Sequence, residues 1–267
     1  MSTKVDLLVI DPQYDFCDPN GSLYVKGAEK DMERLADMIN RVGDKLNDVH
    51  VTMDTHHLID IAHPAYWKDS SGKHPNPFTI ISREDVEKGT WVPTLPSLAK
   101  RSLEYVRALE QNKRYPLCIW PAHCLIGSVG HTVYKPMCES LLALESRNFF
   151  MVDYITKGSN PFTEHYSGVK ADVPDPSDPS TSINTRLIKT LLEADVIALA
   201  GEALSHCLAN TVRDIAQEFG DDSYVKKFVL LEDATSPVPG FEAMADSFVQ
   251  EMKARGMQID NTKNFLS

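Results

Sequence analysis

The sequence predicts an α/β fold, a mostly parallel central sheet with helices on both of its faces. Three observations predict it. Five short runs of apolar and β-branched residues, at 5–10, 48–54, 149–156, 195–200 and 227–233, have the length and composition of buried strands. Between them lie stretches with apolar residues at helical spacing, so strand and helix alternate along the chain. The 267 residues suffice for one such domain with a full core, and 42% hydrophobic with 24% charged residues is the make-up of an ordinary globular protein.

The first run ends abruptly at Asp11-Pro-Gln-Tyr-Asp-Phe16. A carboxylate just past a buried strand sits where open α/β sheets place their ligands, although an aspartate before proline is also an ordinary turn residue. A turn at 18–21 and a short extended piece at 22–25 lead to an amphipathic helix marked by Met32, Leu35, Ile39, Val42 and Leu46. The second strand, 48–54, delivers Asp54, with His56, His57 and His63 close behind. Strand alternation puts Asp54 and His56 on one side if extension continues for two residues. A carboxylate with imidazoles is a donor set for zinc, iron or manganese; an exposed polar loop is the plainer alternative. Residues 64–116 carry a loop at 68–77, a brief strand at 79–81 and a helix over 96–112 with Leu98, Leu103, Val106 and Leu109. They read as an insertion within one domain spanning 1–267, because the stretch is too short for its own core.

Trp120 and His123 follow in a loop punctuated by proline and two glycines, which suits a pocket wall. A helix after Gly130 has Val133, Met137, Leu141 and Leu144 on one side. The run 149–156 ends at Lys157, a third charged residue at a strand exit, where a lysine is ordinarily just solvated. A long loop over 160–181 surrounds Tyr166, and a helix over 183–193 precedes the run 195–200. Cys207 then lies where strand gives way to a helix with apolar residues at 208, 212, 215, 216 and 219. Free N–H groups and the positive dipole end at such a junction favour a thiolate, but a buried, inert cysteine fits the same place. The strand 227–233 and a final helix with Phe241, Met244, Ala245, Phe248 and Met252 complete the alternation.

A net charge of −11 without any Lys/Arg cluster argues against a nucleic-acid partner, which needs a basic face. Five cysteines, an odd number without paired spacing, read as reduced thiols of a cytoplasmic protein. The chain starts directly into a strand with no signal-peptide pattern, and no apolar run is long enough to span a bilayer, so no membrane partner is expected.

A parallel sheet brings all strand C-termini to one edge, so Asp11, Asp54, Lys157 and Cys207 are expected to face one crevice. The chemistry is coherent: Lys157 is the cation a thiolate needs, and Asp11 is a proton acceptor. The set Asp11-Pro-Gln-Tyr-Asp-Phe16, Asp54-Thr-His56, Trp120-Pro-Ala-His-Cys124, Lys157-Gly158 and Gly201-Glu-Ala-Leu-Ser-His-Cys207 resembles the isochorismatase-like cysteine hydrolases, and among them the nicotinamidase (pyrazinamidase) branch. The likeness runs in the same order from Val5 to about Pro237. It implies a three-layer sandwich and an amidase of NAD salvage that hydrolyses nicotinamide to nicotinate and ammonia through a cysteine thioester.

By the same resemblance Cys207 is the nucleophile, Asp11 the general base and acid, and Lys157 their electrostatic partner. The backbone N–H groups of Ala203 and Cys207 are the oxyanion donors. Asp54, His56 and His123 match the family's metal ligands, and His63 the additional histidine of some members, at a shifted spacing. One divalent ion is implied, zinc ahead of iron or manganese. Phe16, Leu23, Trp120, Tyr166 and His206 fall where nicotinamidases wall the pyridine pocket. The implied partner is a small-molecule amide, and a homo-oligomer is compatible with it. Departures lie at Pro12 and Tyr14, where Val and Asn are commoner, at Glu202, usually apolar and beside the family's cis peptide, and in the long stretch between His63 and Trp120. They bear on the substrate more than on the reaction. A related hydrolase acting on another amide or a carbamoyl compound stays open, as does a non-catalytic binding protein on the same scaffold. The intact Asp11, Lys157 and Cys207 speak against the latter.

Overall fold

The computed structural model describes residues 3–113 and 115–267. Six strands, β1 (Val5–Ile10), β2 (Asp48–Asp54), β3 (Asp153–Lys157), β4 (Val196–Gly201), β5 (Phe228–Leu231) and β6 (Gln258–Asp260), form one sheet in the order β6-β5-β4-β1-β2-β3. Every pairing in it is parallel. All six residues of β1 are buried, which is why the strand reads as an unbroken apolar run: both faces of the sheet are covered.

The covering helices are α1 (Ala28–Val42), α2 (Ala99–Asn112), α3 (Lys135–Asn148), α4 (Thr185–Glu193), α5 (Ala209–Phe219) and α6 (Glu242–Arg255). Helix α1 buries Met32, Leu35, Ala36, Ile39 and Val42, one stripe of a 3.6-residue repeat, and packs against α3. Helix α4 packs against α5. From β1 to β3 the chain steps across the sheet in one direction, and from β4 to β6 in the other. Right-handed crossovers therefore put the two helix groups on opposite faces. The reversal falls between β1 and β4, and a crevice opens there beyond the strand C-termini.

The 64–116 insertion is tied to the rest by specific contacts. Ile80–Ile81 pairs antiparallel with Leu117–Cys118, and Trp67–Lys68 with Val92–Pro93. The buried Trp67 donates its indole N–H to the Ile61 carbonyl at 2.7 Å, and Trp120 donates its backbone N–H to the Ala62 carbonyl at 2.8 Å. These bonds hold the end of the histidine loop beside His63.

Several local expectations shift. Helix α1 begins at Ala28 and ends at Val42, with Leu46 beyond it. Residues 22–25 are turn and coil instead of an extended piece. Strand β3 starts at Asp153; Phe149 instead leaves α3 with φ 50° and its ring in solvent, so its apolar character is not a burial signal. The helical stretch around Cys207 starts at Leu204 in a wide π-type turn, closed by the Leu208 N–H donating to the Ala203 carbonyl at 3.2 Å. Cys207 thus sits inside the first helical turn. Strand β6 was not expected: three half-exposed residues carry too little apolar pattern to register.

Gly201 ends β4 with φ +104°, and a Cβ there would lie 2.1 Å from the Ile10 carbonyl oxygen. Gly201→Ala is expected to lower unfolding free energy by about 2–5 kcal/mol, combining left-handed strain with overpacking. Urea unfolding that shows a change below about 0.5 kcal/mol contradicts this close approach.

Candidate active site

Lys157 is the centre of the crevice. Its Cα is the register partner of Asp54 on the adjacent strand, so the two side chains leave the sheet together. The buried ammonium lies 2.9 Å from Asp11 Oδ2 and 3.0 Å from Asp54 Oδ1, and donates to the His165 carbonyl at 3.1 Å. The Cys207 sulfur is 3.7 Å away. Asp11 leaves β1 with φ 43° and is fixed from β2: its N–H donates to Thr52 Oγ1 at 3.0 Å, and the Thr52 hydroxyl donates to Asp11 Oδ1 at 2.6 Å. Gln13 clasps the end of β2 as well, donating to the Asp54 carbonyl at 2.7 Å and accepting the Asp54 N–H at 2.6 Å. The four strand-exit residues expected at one crevice are therefore together.

Beside them His56, His63 and His123, all buried, each present a ring nitrogen within 4.8 Å of the others. Asp54 Oδ2 lies 3.0 Å from His56 Nε2 and 3.3 Å from His123 Nε2. Those separations suit neighbouring ligands on one ion whose bonds are about 2.0–2.1 Å. His56 Nε2 and His63 Nδ1 are buried without a hydrogen-bond partner, as nitrogens left open for an ion would be. Asp60 accepts from or pairs with His56 Nδ1 at 3.0 Å, and the Pro121 carbonyl lies 2.8 Å from His123 Nδ1, orienting both rings from behind. His57 is exposed and takes no part. The donor set fits a divalent ion that accepts imidazole and carboxylate.

Phe16, Leu23, Trp120, Tyr166, His206 and Val238 line a cavity that reaches Cys207 and Ala203 at one side and Asp54, His123 and Glu164 at another. The cavity is narrow, with a free volume of about 30 Å³ between these side chains. Every residue expected to wall a pocket is on its lining. Trp120 donates to the Tyr166 hydroxyl at 2.9 Å, and Tyr115 stacks on His206 from behind with centroids 5.3 Å apart. A larger open groove beside Arg101, Phe162 and Asp175 has no cysteine or histidine on its lining.

Burial raises the Asp11 carboxyl above its ordinary value, with Lys157 countering in part. Burial alone would raise Asp54 too, but His56 and Lys157 hold it well below the usual range. Burial works against the Lys157 charge, yet Asp11 and Asp54 keep it protonated. Burial neutralises His63, pushed down to about 3, which leaves its lone pair free to bind an ion. Burial pushes the Cys207 thiol well above its ordinary value, and Lys157 offsets this only partly because Asp11 and Asp54 press the other way. The resting group is a thiol, not a thiolate, since the ammonium is shared with two carboxylates.

Thr52, Gln13, Asp60 and Glu164 escaped the sequence reading. Only Asp60 had a signal, four residues after His56 in a histidine-bearing loop; the others show their role through contacts distant in the chain.

No family model and no curated protein matches the chain. Solved structures do. The yeast nicotinamidase Pnc1p superposes with TM-score 0.66 at 19% identity, over 96% of this chain and 98% of that one. A nicotinamidase/pyrazinamidase of Acinetobacter baumanii gives 0.64 at 20%, over 99% of each chain. The pyrazinamidase of Pyrococcus horikoshii, solved in complex with zinc, gives 0.55 at 20%, over 97% and 99%. At these identities what is shared is architecture: the chain has the α/β fold of the nicotinamidases and pyrazinamidases.

Proposed function

We propose that the protein is an amidohydrolase that converts nicotinamide to nicotinate and ammonia through a thioester on Cys207. One observation carries this reading. A buried ammonium lies 2.9 Å from a carboxylate and 3.7 Å from the sulfur of Cys207, which lines a small aromatic-walled cavity. The neighbours of the same fold are nicotinamidases and pyrazinamidases, which supports this choice of substrate.

Asp11 takes the Cys207 proton as the sulfur attacks the carboxamide carbon. Its burial-raised basicity suits it to accept that proton and later return it. Lys157 stabilises the developing thiolate. The C=O electrons move to oxygen, where the backbone N–H groups of Ala203 and Cys207 hold the oxyanion; one such donor is worth about 100- to 1000-fold in rate. Collapse breaks the C–N bond, and Asp11 gives its proton to the leaving nitrogen, releasing ammonia. Water then loses a proton to Asp11 as it attacks the thioester; the C–S bond breaks and the sulfur recovers the proton, freeing the acid. Asp54, His56, His63 and His123 would hold one divalent ion, zinc, iron or manganese, and a bound ion there would supply a Lewis-acid anchor for the ring nitrogen. Trp120, Tyr166, Phe16, Leu23 and His206 enclose the ring and exclude water.

Ammonia release from nicotinamide is the primary test. Cys207→Ala is expected to abolish it, by at least about 1000-fold, while calorimetry still detects nicotinamide binding; full turnover by that variant rules the thioester out. Protein stripped by a chelator is expected to lose activity and regain it with zinc, iron or manganese, and activity undiminished at undetectable metal content refutes the ligand set. A protonated Asp11 cannot accept the thiol proton, so kcat/KM should fall as pH drops through the Asp11 value, which lies above the 3.8 of an ordinary aspartate. A profile that stays flat down to 3.8 at constant metal content excludes Asp11 as the base.

A further inference from the structure

The cavity beside Cys207 holds a polar group that the amide chemistry leaves unused. Among the described residues, Glu164 Oε2 is the one buried, unpartnered side-chain oxygen or nitrogen that belongs to a residue lining this cavity. The polar side chains around it are engaged: Asp54 by Lys157 at 3.0 Å, His123 Nδ1 by the Pro121 carbonyl at 2.8 Å, and His206 Nδ1 by Ser205 Oγ at 2.9 Å.

Glu164 is held in place rather than adrift. Its Oε1 accepts the His165 N–H at 3.0 Å, and its own N–H donates to the Tyr105 hydroxyl at 3.1 Å. Its carbonyl accepts the Asp172 N–H at 2.9 Å. A carboxyl oxygen anchored in this way, dry and at a pocket wall, is costly unless a ligand completes it. A pocket meant only for a plain ring would place an apolar side chain there.

We propose that Glu164 is a specificity-determining residue whose free carboxyl oxygen accepts a hydrogen bond from a donor substituent on the ring of the bound amide, beyond the ring nitrogen. The pocket then favours heteroaromatic amides that carry such a group, a ring amino or hydroxyl. This inference rests on the amidase reading above for the identity of the ligand, but not for its test.

The test compares binding by calorimetry, in the Cys207→Ala background, of nicotinamide and of amino- and hydroxy-substituted nicotinamides. Glu164→Leu is expected to weaken the substituted amides relative to nicotinamide by about tenfold or more, because a site built around a hydrogen bond loses its discrimination when one partner goes. Glu164→Gln, which keeps the shape and an accepting oxygen, is expected to hold the ratio within about threefold. A ratio unchanged in Glu164→Leu overturns the assignment, as does a parallel loss for every amide together with loss of bound metal, which would mean that Glu164 acts through the ion. If the parent protein releases no ammonia from any of these amides while the binding ratio still shifts, the amidase reading fails and Glu164 stands.

Discussion

The buried ammonium of Lys157 is the constraint on which the rest of the site depends. It sits between two carboxylates and a sulfur with almost no solvent, and shares Asp54 with His56, whose Nε2 lies 3.0 Å from the other carboxylate oxygen. Buried charges are tolerable only when paired in good geometry, and removing one partner leaves the others uncompensated. Without the ammonium, two carboxylates would face each other across the ends of β1 and β2. The same arrangement explains why Cys207 rests as a thiol: the positive charge is already shared, so the proposed reaction needs Asp11 to take the proton at the moment of attack.

The fold supplies this geometry through parallel pairing. Asp54 and Lys157 are register partners, and Ile10 is the partner of Gly201, so the chain segments leading to Asp11 and Cys207 leave the sheet side by side. A slip of one residue in either pairing would turn a side chain to the opposite face and empty the crevice of it. Around this core the insertion adds a second layer of control. Tyr66 and Trp67 brace the histidine loop at His63 and Ile61, and Tyr115 backs His206 on the pocket wall. The insertion thus supports both the histidine cluster and the aromatic cavity.

Much of this was legible beforehand, for physical reasons. A residue at the C-terminal end of an apolar run in a parallel sheet has its position set by topology, so Asp11, Asp54, Lys157 and Cys207 could be brought together on paper. β1, β2, β4 and β5 announce themselves because burial on both faces demands continuous apolar runs; β3 and β6, the two edge strands, are partly exposed, and the short β6 leaves no signal. Phe149 misled because an apolar ring was taken for a buried one, whereas it caps α3 in solvent. Thr52 and Gln13 were invisible because their roles are contacts across 41 residues of chain. The resting charge state of Cys207 was not legible for a related reason: proximity to Lys157 could be inferred, but not that two carboxylates share it.

The central claim is that the Cys207 sulfur, with Lys157 and Asp11 against it, adds to a carbonyl held in the aromatic cavity. Pyridine-3-carbaldehyde labelled with carbon-13 at the aldehyde tests it most directly, since addition of the thiol stops at a stable tetrahedral carbon visible by NMR. The account predicts a protein-bound hemithioacetal resonance in the native protein that disappears in Cys207→Ala. The same bound spectrum from both proteins, or addition to another of the cysteines, would contradict it.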